Sequence, residues 1–141
     1  TLMALFDRVK ALGASGVRFN IETKIDPGKP EDTVSAEAMT RALLKVIQDT
    51  DMTPRVTIQS FDWRTLQPTQ RLAPAIPTEY HTIQTANTDN IADGSWTAGF
   101  KLAEHGTVPK LVKAAGGAVW SPIGGAVTEA SLKEARGVAL R

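Results

Sequence analysis

The chain has 141 residues, 42% of them hydrophobic and 22% charged, with a formal net charge of +1 and no cysteine. This is the size and composition of one globular domain, expected over residues 1–141. It excludes a basic field for nucleic acid, a disulfide framework, a zinc–thiolate site and a thiol nucleophile.

No apolar run approaches the about 18 residues that a membrane-spanning helix needs. The first residue is Thr1, with no charged-then-apolar leader behind it, so the chain is expected to be processed or to be a piece of something longer.

Thr1 has the chemistry of a helix cap, and Leu2, Leu5, Phe6, Val9 and Leu12 form one stripe before Gly13 and Gly16 end the helix. Val17–Thr23 follows with period-2 alternation, the apolar Val17, Phe19 and Ile21 against the polar Arg18, Asn20 and Glu22. Lys24 continues the polar row, so Asn20, Glu22 and Lys24 emerge together at the carboxyl end of a strand. A carboxylate and an ammonium so placed serve a metal and an anionic substrate; an ordinary surface ion pair is the structural alternative. Ile25–Thr33 contains Pro27, Gly28 and Pro30 and reads as a loop.

Ser35 caps a second helix with Met39, Leu43, Val46 and Ile47 turned inward. Pro54 stops it, and Arg55–Ser60 is a second strand. Asp62 caps a third helix over Trp63–Leu72, closed by Pro74 and Pro77. A weaker strand runs through Thr78–Ile83, and Asn87–Gly106 is a polar loop longer than most connections. Val108–Ala115 is helical, Gly117–Trp120 is a short strand, Ser121–Gly125 is a glycine-rich loop, and Thr128 caps the last helix.

Helices alternating with strands over short connections imply parallel pairing, either in an open doubly wound sheet or in part of a barrel. No strand is followed by a phosphate-binding glycine fingerprint, and the long loops follow strands, where a β/α barrel keeps its active site. The expected fold is therefore α/β, a partial TIM (β/α)8 barrel of about four consecutive parallel units.

Two segments carry a resemblance. Phe-Asn-Ile-Glu-Thr-Lys at 19–24 and Ile-Gln-Ser-Phe-Asp-Trp at 58–63 resemble consecutive strands of the glycerophosphodiester phosphodiesterase family. Trp-Ser-Pro at 120–122 and the Thr128-Glu129 helix start follow in the family's order, so the resemblance covers the middle-to-later part of that barrel. It implies metal-dependent hydrolysis of glycerophosphodiesters to an alcohol and glycerol 3-phosphate, in lipid and glycerol metabolism. The Trp96 loop looks most like the bacterial secreted or periplasmic branch.

Carried over position by position, the resemblance implies that Glu22 is a metal ligand, for Mg²⁺ or Ca²⁺, both of which prefer carboxylate oxygens. It makes Lys24 a contact to phosphate or glycerol, with an ion pair to Glu22 or Asp26 as the alternative. Gln59 and Trp120 are substrate-binding candidates, each also explicable by packing. Ser60 has no base to activate it, and Phe61 is most simply core. His81 reads as a satisfied strand histidine and His105 as a solvent-exposed loop residue.

The family's His-Arg-Gly strand, His-Asp pair and Glu-x-Asp metal motif do not occur in this sequence, nor does its later Trp-Thr-Val-Asn strand. No residue of this chain is therefore expected to act as acid or base, and the isolated chain is expected to be inactive. The alternative is a non-catalytic half-barrel that associates with another copy or a partner through its open edges. A Schiff-base role for Lys24 is disfavoured, because Glu22 beside it stabilises the charged ammonium.

Overall fold

A computed structural model describes residues 1–141. Four strands, β1 (Phe19–Glu22), β2 (Val56–Ser60), β3 (Thr78–Thr82) and β4 (Val119–Pro122), form one sheet in the order β1-β2-β3-β4. All three pairings are parallel, with Glu22 opposite Gln59, Gln59 opposite Glu79 and Tyr80 opposite Trp120. The helices are α1 (Leu2–Ala11), α2 (Ala36–Asp49), α3 (Leu66–Leu72), α4 (Leu102–His105), α5 (Val108–Ala114) and α6 (Glu129–Gly137). Helices intervene between successive strands, the connection that parallel pairing requires.

One face of the sheet is apolar and covered. Val56, Ile58 and Tyr80 are fully buried among Phe6 of α1, Leu44 and Ile47 of α2, Leu66 of α3, and Leu111 and Val112 of α5. Phe6 meets Phe19 edge-on at 5.0 Å, and Trp63 meets Tyr80 edge-on at 4.8 Å. The alternate residues Thr57, Gln59, Glu79 and His81 are only half-buried and Asn20 is exposed, so the other face is polar and open. Gly117 leads into β4 where no side chain fits: a Cβ there would stand 2.5 Å from Val112 Cγ1 and 3.1 Å from the Tyr80 ring.

Caps behave as their chemistry dictates. Thr1 accepts from the Ala4 amide at 3.3 Å and Ser35 from the Ala38 amide at 3.2 Å, while Thr128 and Ser131 make a reciprocal capping box on α6. Several expected faces shift. On α1 only Phe6 is buried, and Leu5 and Leu12 lie 48% and 62% exposed because no element covers that side. On α2 the buried stripe is Thr40, Leu44 and Ile47 rather than Met39, Leu43 and Val46. Residues 63–65 form a turn, so α3 starts at Leu66. The fourth strand sits two residues later than expected, at Val119–Pro122.

The segment after β3 is not an open loop. Asn90, only 4% exposed, accepts from the Ile83 amide at 2.8 Å and donates to the Phe61 and His81 carbonyls at 3.2 Å each. The Trp63 amide donates to the Trp96 carbonyl at 2.7 Å. This long connection is thereby stitched onto the ends of β2 and β3.

Candidate active site

At the carboxyl ends of β1 to β3 lies a cavity of about 490 Å³, walled by Glu22, Lys24, Asp26, Phe61, Asp62 and Trp96 among others. Glu22 is the last residue of β1, and Lys24 follows two residues on. Both stand where the sequence predicts, at the open end of the strands. Lys24 Nζ approaches Glu22 Oε1 at 2.5 Å, with the lysine side chain 75% exposed and the glutamate 23% exposed. Glu22 Oε1 itself is out of contact with water, and the Lys24 ammonium is the one cation beside it. A carboxylate oxygen out of water beside a single exposed ammonium is a position that a bound cation would take by displacing that ammonium.

Lys24 Nζ also lies 5.7 Å from the centroid of the Phe61 ring, in cation–π range. The other partner of that ring is His81, stacked at 4.7 Å with the planes 25° apart. Phe61 is therefore not core, as its apolar character suggested. It stands on the open face of the sheet and lines the cavity. His81 is not a satisfied histidine either, since its Nε2 is buried without a partner. His105 belongs to α4, half-buried, with its ring 6.1 Å from Phe100.

Asp62 is a site residue that the sequence reading placed only as a helix cap. Its side chain is fully buried and forked with Arg64: Nε donates at 2.9 and 3.1 Å and Nη2 at 2.5 Å. These hydrogen bonds raise the Arg64 pKa above its usual value. Asp62 Oδ1 also accepts from the Arg64 amide at 3.1 Å, an Asx turn over two residues. The Ser60 hydroxyl donates to the Thr23 carbonyl at 3.2 Å and accepts from the Asp62 amide at 3.0 Å. The Ser-x-Asp-x-Arg spacing at 60–64 is the local signal that marks this turn. Ser60 is thus a buried structural hydroxyl.

Two expected substrate contacts do not join the cavity. Gln59 lies deeper on the open face, its Oε1 accepting from Asn20 Nδ2 at 2.6 Å. Trp120 points the other way, onto the helix-covered side, because strand residues alternate and its register partner is the core residue Tyr80. Its indole N–H donates to Thr82 Oγ1 at 2.9 Å, and it lines a separate cleft with Val108, Pro109 and Glu134.

For a divalent cation, Glu22 Oε1 fits one ligand position once the exposed Lys24 ammonium moves off it. No three His, Asp or Glu side chains converge to complete a set. The arrangement sets an acidic oxygen, an exposed ammonium and an aromatic ring around a cleft whose lining carries the carboxylates of Glu22, Asp26, Asp32, Asp62 and Asp89 against the ammonium groups of Lys24 and Lys29.

No sequence-family model matches the chain, and no curated protein matches it. Solved structures do. A protein designated a glycerophosphoryl diester phosphodiesterase from Silicibacter pomeroyi DSS-3 superposes at TM-score 0.76 with 28% identity, over 99% of this chain and 43% of that one. A glycerophosphodiester phosphodiesterase from Parabacteroides distasonis ATCC 8503 (TM-score 0.65, 14% identity, 48% of its length) shares the fold. So does one designated as such from Galdieria sulphuraria (0.64, 17%, 47%). The chain spans less than half the length of these structures. It is a partial β/α barrel that resembles the glycerophosphodiester phosphodiesterase family both in its motifs and in its fold.

Proposed function

We propose that this chain forms the Glu22 and Lys24 side of the active site in a metal-dependent glycerophosphodiester phosphodiesterase. The observation that carries the reading is the position of these two residues. They stand together at the open end of a parallel β/α sheet of that fold, with Glu22 Oε1 out of water and the exposed Lys24 ammonium beside it.

In the reaction water attacks phosphorus, the P–O bond to the alcohol breaks, and the alcohol leaves with a proton while glycerol 3-phosphate remains. Glu22 would contribute one ligand to Mg²⁺ or Ca²⁺, which when bound would offset charge on the phosphoryl oxygens. Lys24, on an exposed and movable stem, leaves Glu22 to meet the diester anion as a point charge. Phe61 gives that ammonium an apolar floor and holds water off one side. The family's histidine motifs do not occur in this sequence, so no residue here is assigned the proton for the leaving alcohol, a contribution of typically ~10²–10⁴-fold. The acid and base therefore come from outside residues 1–141, and the isolated chain is inactive. Glycerophosphodiesters are proposed as the substrate, and the secreted or periplasmic compartment stays part of the same proposal.

The test is release of glycerol 3-phosphate from glycerophosphocholine, with and without EDTA, by this chain and by the complete gene product. Metal-dependent release by the complete product alone is expected, and Glu22→Gln in it should lower kcat/KM by at least the ~10–100-fold that loss of a ligand's supporting partner costs. No release by either, with metal supplied, overturns the reading.

A further inference from the structure

The charge balance of the cavity works against an anionic substrate, and one contact bears on that conflict. Along its walls the carboxylates of Glu22, Asp26, Asp32 and Asp89 outnumber the ammonium groups of Lys24 and Lys29, while Asp62 is neutralised by Arg64. A cleft with an excess of one sign of charge attracts the opposite sign and repels its own. A phosphodiester anion therefore meets repulsion there, most of all while the Lys24 ammonium is taken up by a carboxylate.

That carboxylate is Glu22. Lys24 Nζ lies 2.5 Å from its Oε1, an oxygen out of reach of water, and the lysine side chain is 75% exposed. No other carboxylate pairs with the ammonium, and the Phe61 ring stands 5.7 Å away on its other side. An ammonium and a divalent cation on the same oxygen would be like charges in contact, so the two are alternative occupants. An ion pair with so exposed a partner is weakly held, and the lysine stem is free to swing off it.

We propose that Lys24 is a placeholder that sets the order of binding: divalent cation first, phosphate-bearing anion second. Cation entry at Glu22 Oε1 releases the ammonium. The added positive charge and the freed ammonium together turn the mouth of β1 from repelling anions to holding them. The coupling is reciprocal, because an anion that engages Lys24 removes the competitor from Glu22 and tightens the cation by the same factor. This exchange presupposes that Glu22 and Lys24 hold cation and phosphate, as in the proposed reaction, and adds that they do so in sequence.

The test reads binding rather than turnover, by isothermal titration calorimetry on the complete gene product. The probes are Mg²⁺ or Ca²⁺, whichever binds tighter, and glycerol 3-phosphate, each alone and with the other present. In wild type each ligand should bind about fivefold tighter or more when the other is present, and by equal factors. Lys24→Met should move the two ligands in opposite directions, which loss of local structure would not do. The cation alone should bind about threefold tighter or more, its competitor being gone. Glycerol 3-phosphate in the presence of the cation should bind about tenfold weaker. Lys29→Met removes the same charge from the same walls but no partner of Glu22, and should shift the cation by under about twofold. Cation affinity unchanged or weaker in Lys24→Met, Lys29→Met equal to Lys24→Met, or glycerol 3-phosphate binding equally with and without the cation overturns the placeholder. If metal-dependent hydrolysis of glycerophosphocholine by wild type persists beside any of those results, the exchange alone fails and the phosphodiesterase reading stands. If neither cation binds and no hydrolysis occurs, both fall.

Discussion

The two faces of the sheet have the same backbone and opposite physics. On the helix-covered face Val56, Ile58, Tyr80 and Trp63 are fully buried, and each contributes by removing apolar surface from water. On the open face Asn20, Gln59, Glu79, Phe61 and His81 keep partial contact with solvent and are linked by hydrogen bonds and stacking. The first face holds the fold together. The second lines the candidate site, and it leaves His81 Nε2 buried without a partner, a state that a folding core rarely tolerates.

The largest test of this division is Trp63→Ala. The indole is fully buried, packed edge-on to Tyr80, and donates from Nε1 to the His81 carbonyl at 3.2 Å. Truncation should destabilise the chain by about 3–5 kcal/mol, read from urea unfolding. A loss under about 1 kcal/mol would mean that the covered face is not the source of stability.

Next in size is a pH effect at Tyr80, the only tyrosine of the chain. Burial pushes its phenol from 10.0 up to about 12, only partly offset by hydrogen bonds from Gln70 and Gln67. The native state thus holds this proton more tightly than the unfolded chain does. The stabilisation is complete below pH 10, falls as pH rises from 10 to about 12, and is absent above. Two units correspond to about 2–3 kcal/mol at most. Unfolding free energy should decline through that window in wild type. In Tyr80→Phe the decline should be largely gone. An unchanged slope in the variant would place the alkaline instability elsewhere.

How much of this was readable from residues depends on which face is asked. The apolar period-2 rows gave β1 and β2 within a few residues, because burial on one face is what that alternation encodes. Parity was equally available for Trp120, yet its place at a strand end suggested the cavity, and only the register opposite Tyr80 shows that it turns inward. The faces of α1 and α2 were harder. Leu5 and Leu12 fall on a good helical stripe, but what covers a helix is decided by distant parts of the chain, not by its own period. Glu22 and Lys24 were legible through their motif. Asp62 with Arg64 and the Asn90 clasp were not, since each depends on backbone carbonyls and amides that a turn brings together.

Asp62→Ala probes the boundary between the two faces. Its buried carboxylate orders the turn after β2 and pairs with an Arg64 side chain that is 38% exposed. Removing it leaves Arg64 free to reach water, so the cost should sit in the lower half of the about 1–3 kcal/mol typical of a lost buried hydrogen-bonding partner. Chemical unfolding measures it, and a change near zero would mean that the turn is held by Ser60 alone.

The smallest expected change in stability belongs to Glu22→Gln, and that smallness is the point. Its ion-pair mate Lys24 is mostly in solvent, where such contacts contribute about 0–1 kcal/mol. The replacement also removes a part-buried charge whose desolvation opposes folding, which offsets the loss of that ion pair. Unfolding free energy should therefore stay within about 0.5 kcal/mol of wild type or rise slightly. A residue selected to hold the fold would cost more when changed, so a loss above about 2 kcal/mol would return Glu22 to the structural side of the comparison. A neutral or stabilising result matches a carboxylate kept at the strand mouth at the expense of stability, as a ligand position would be.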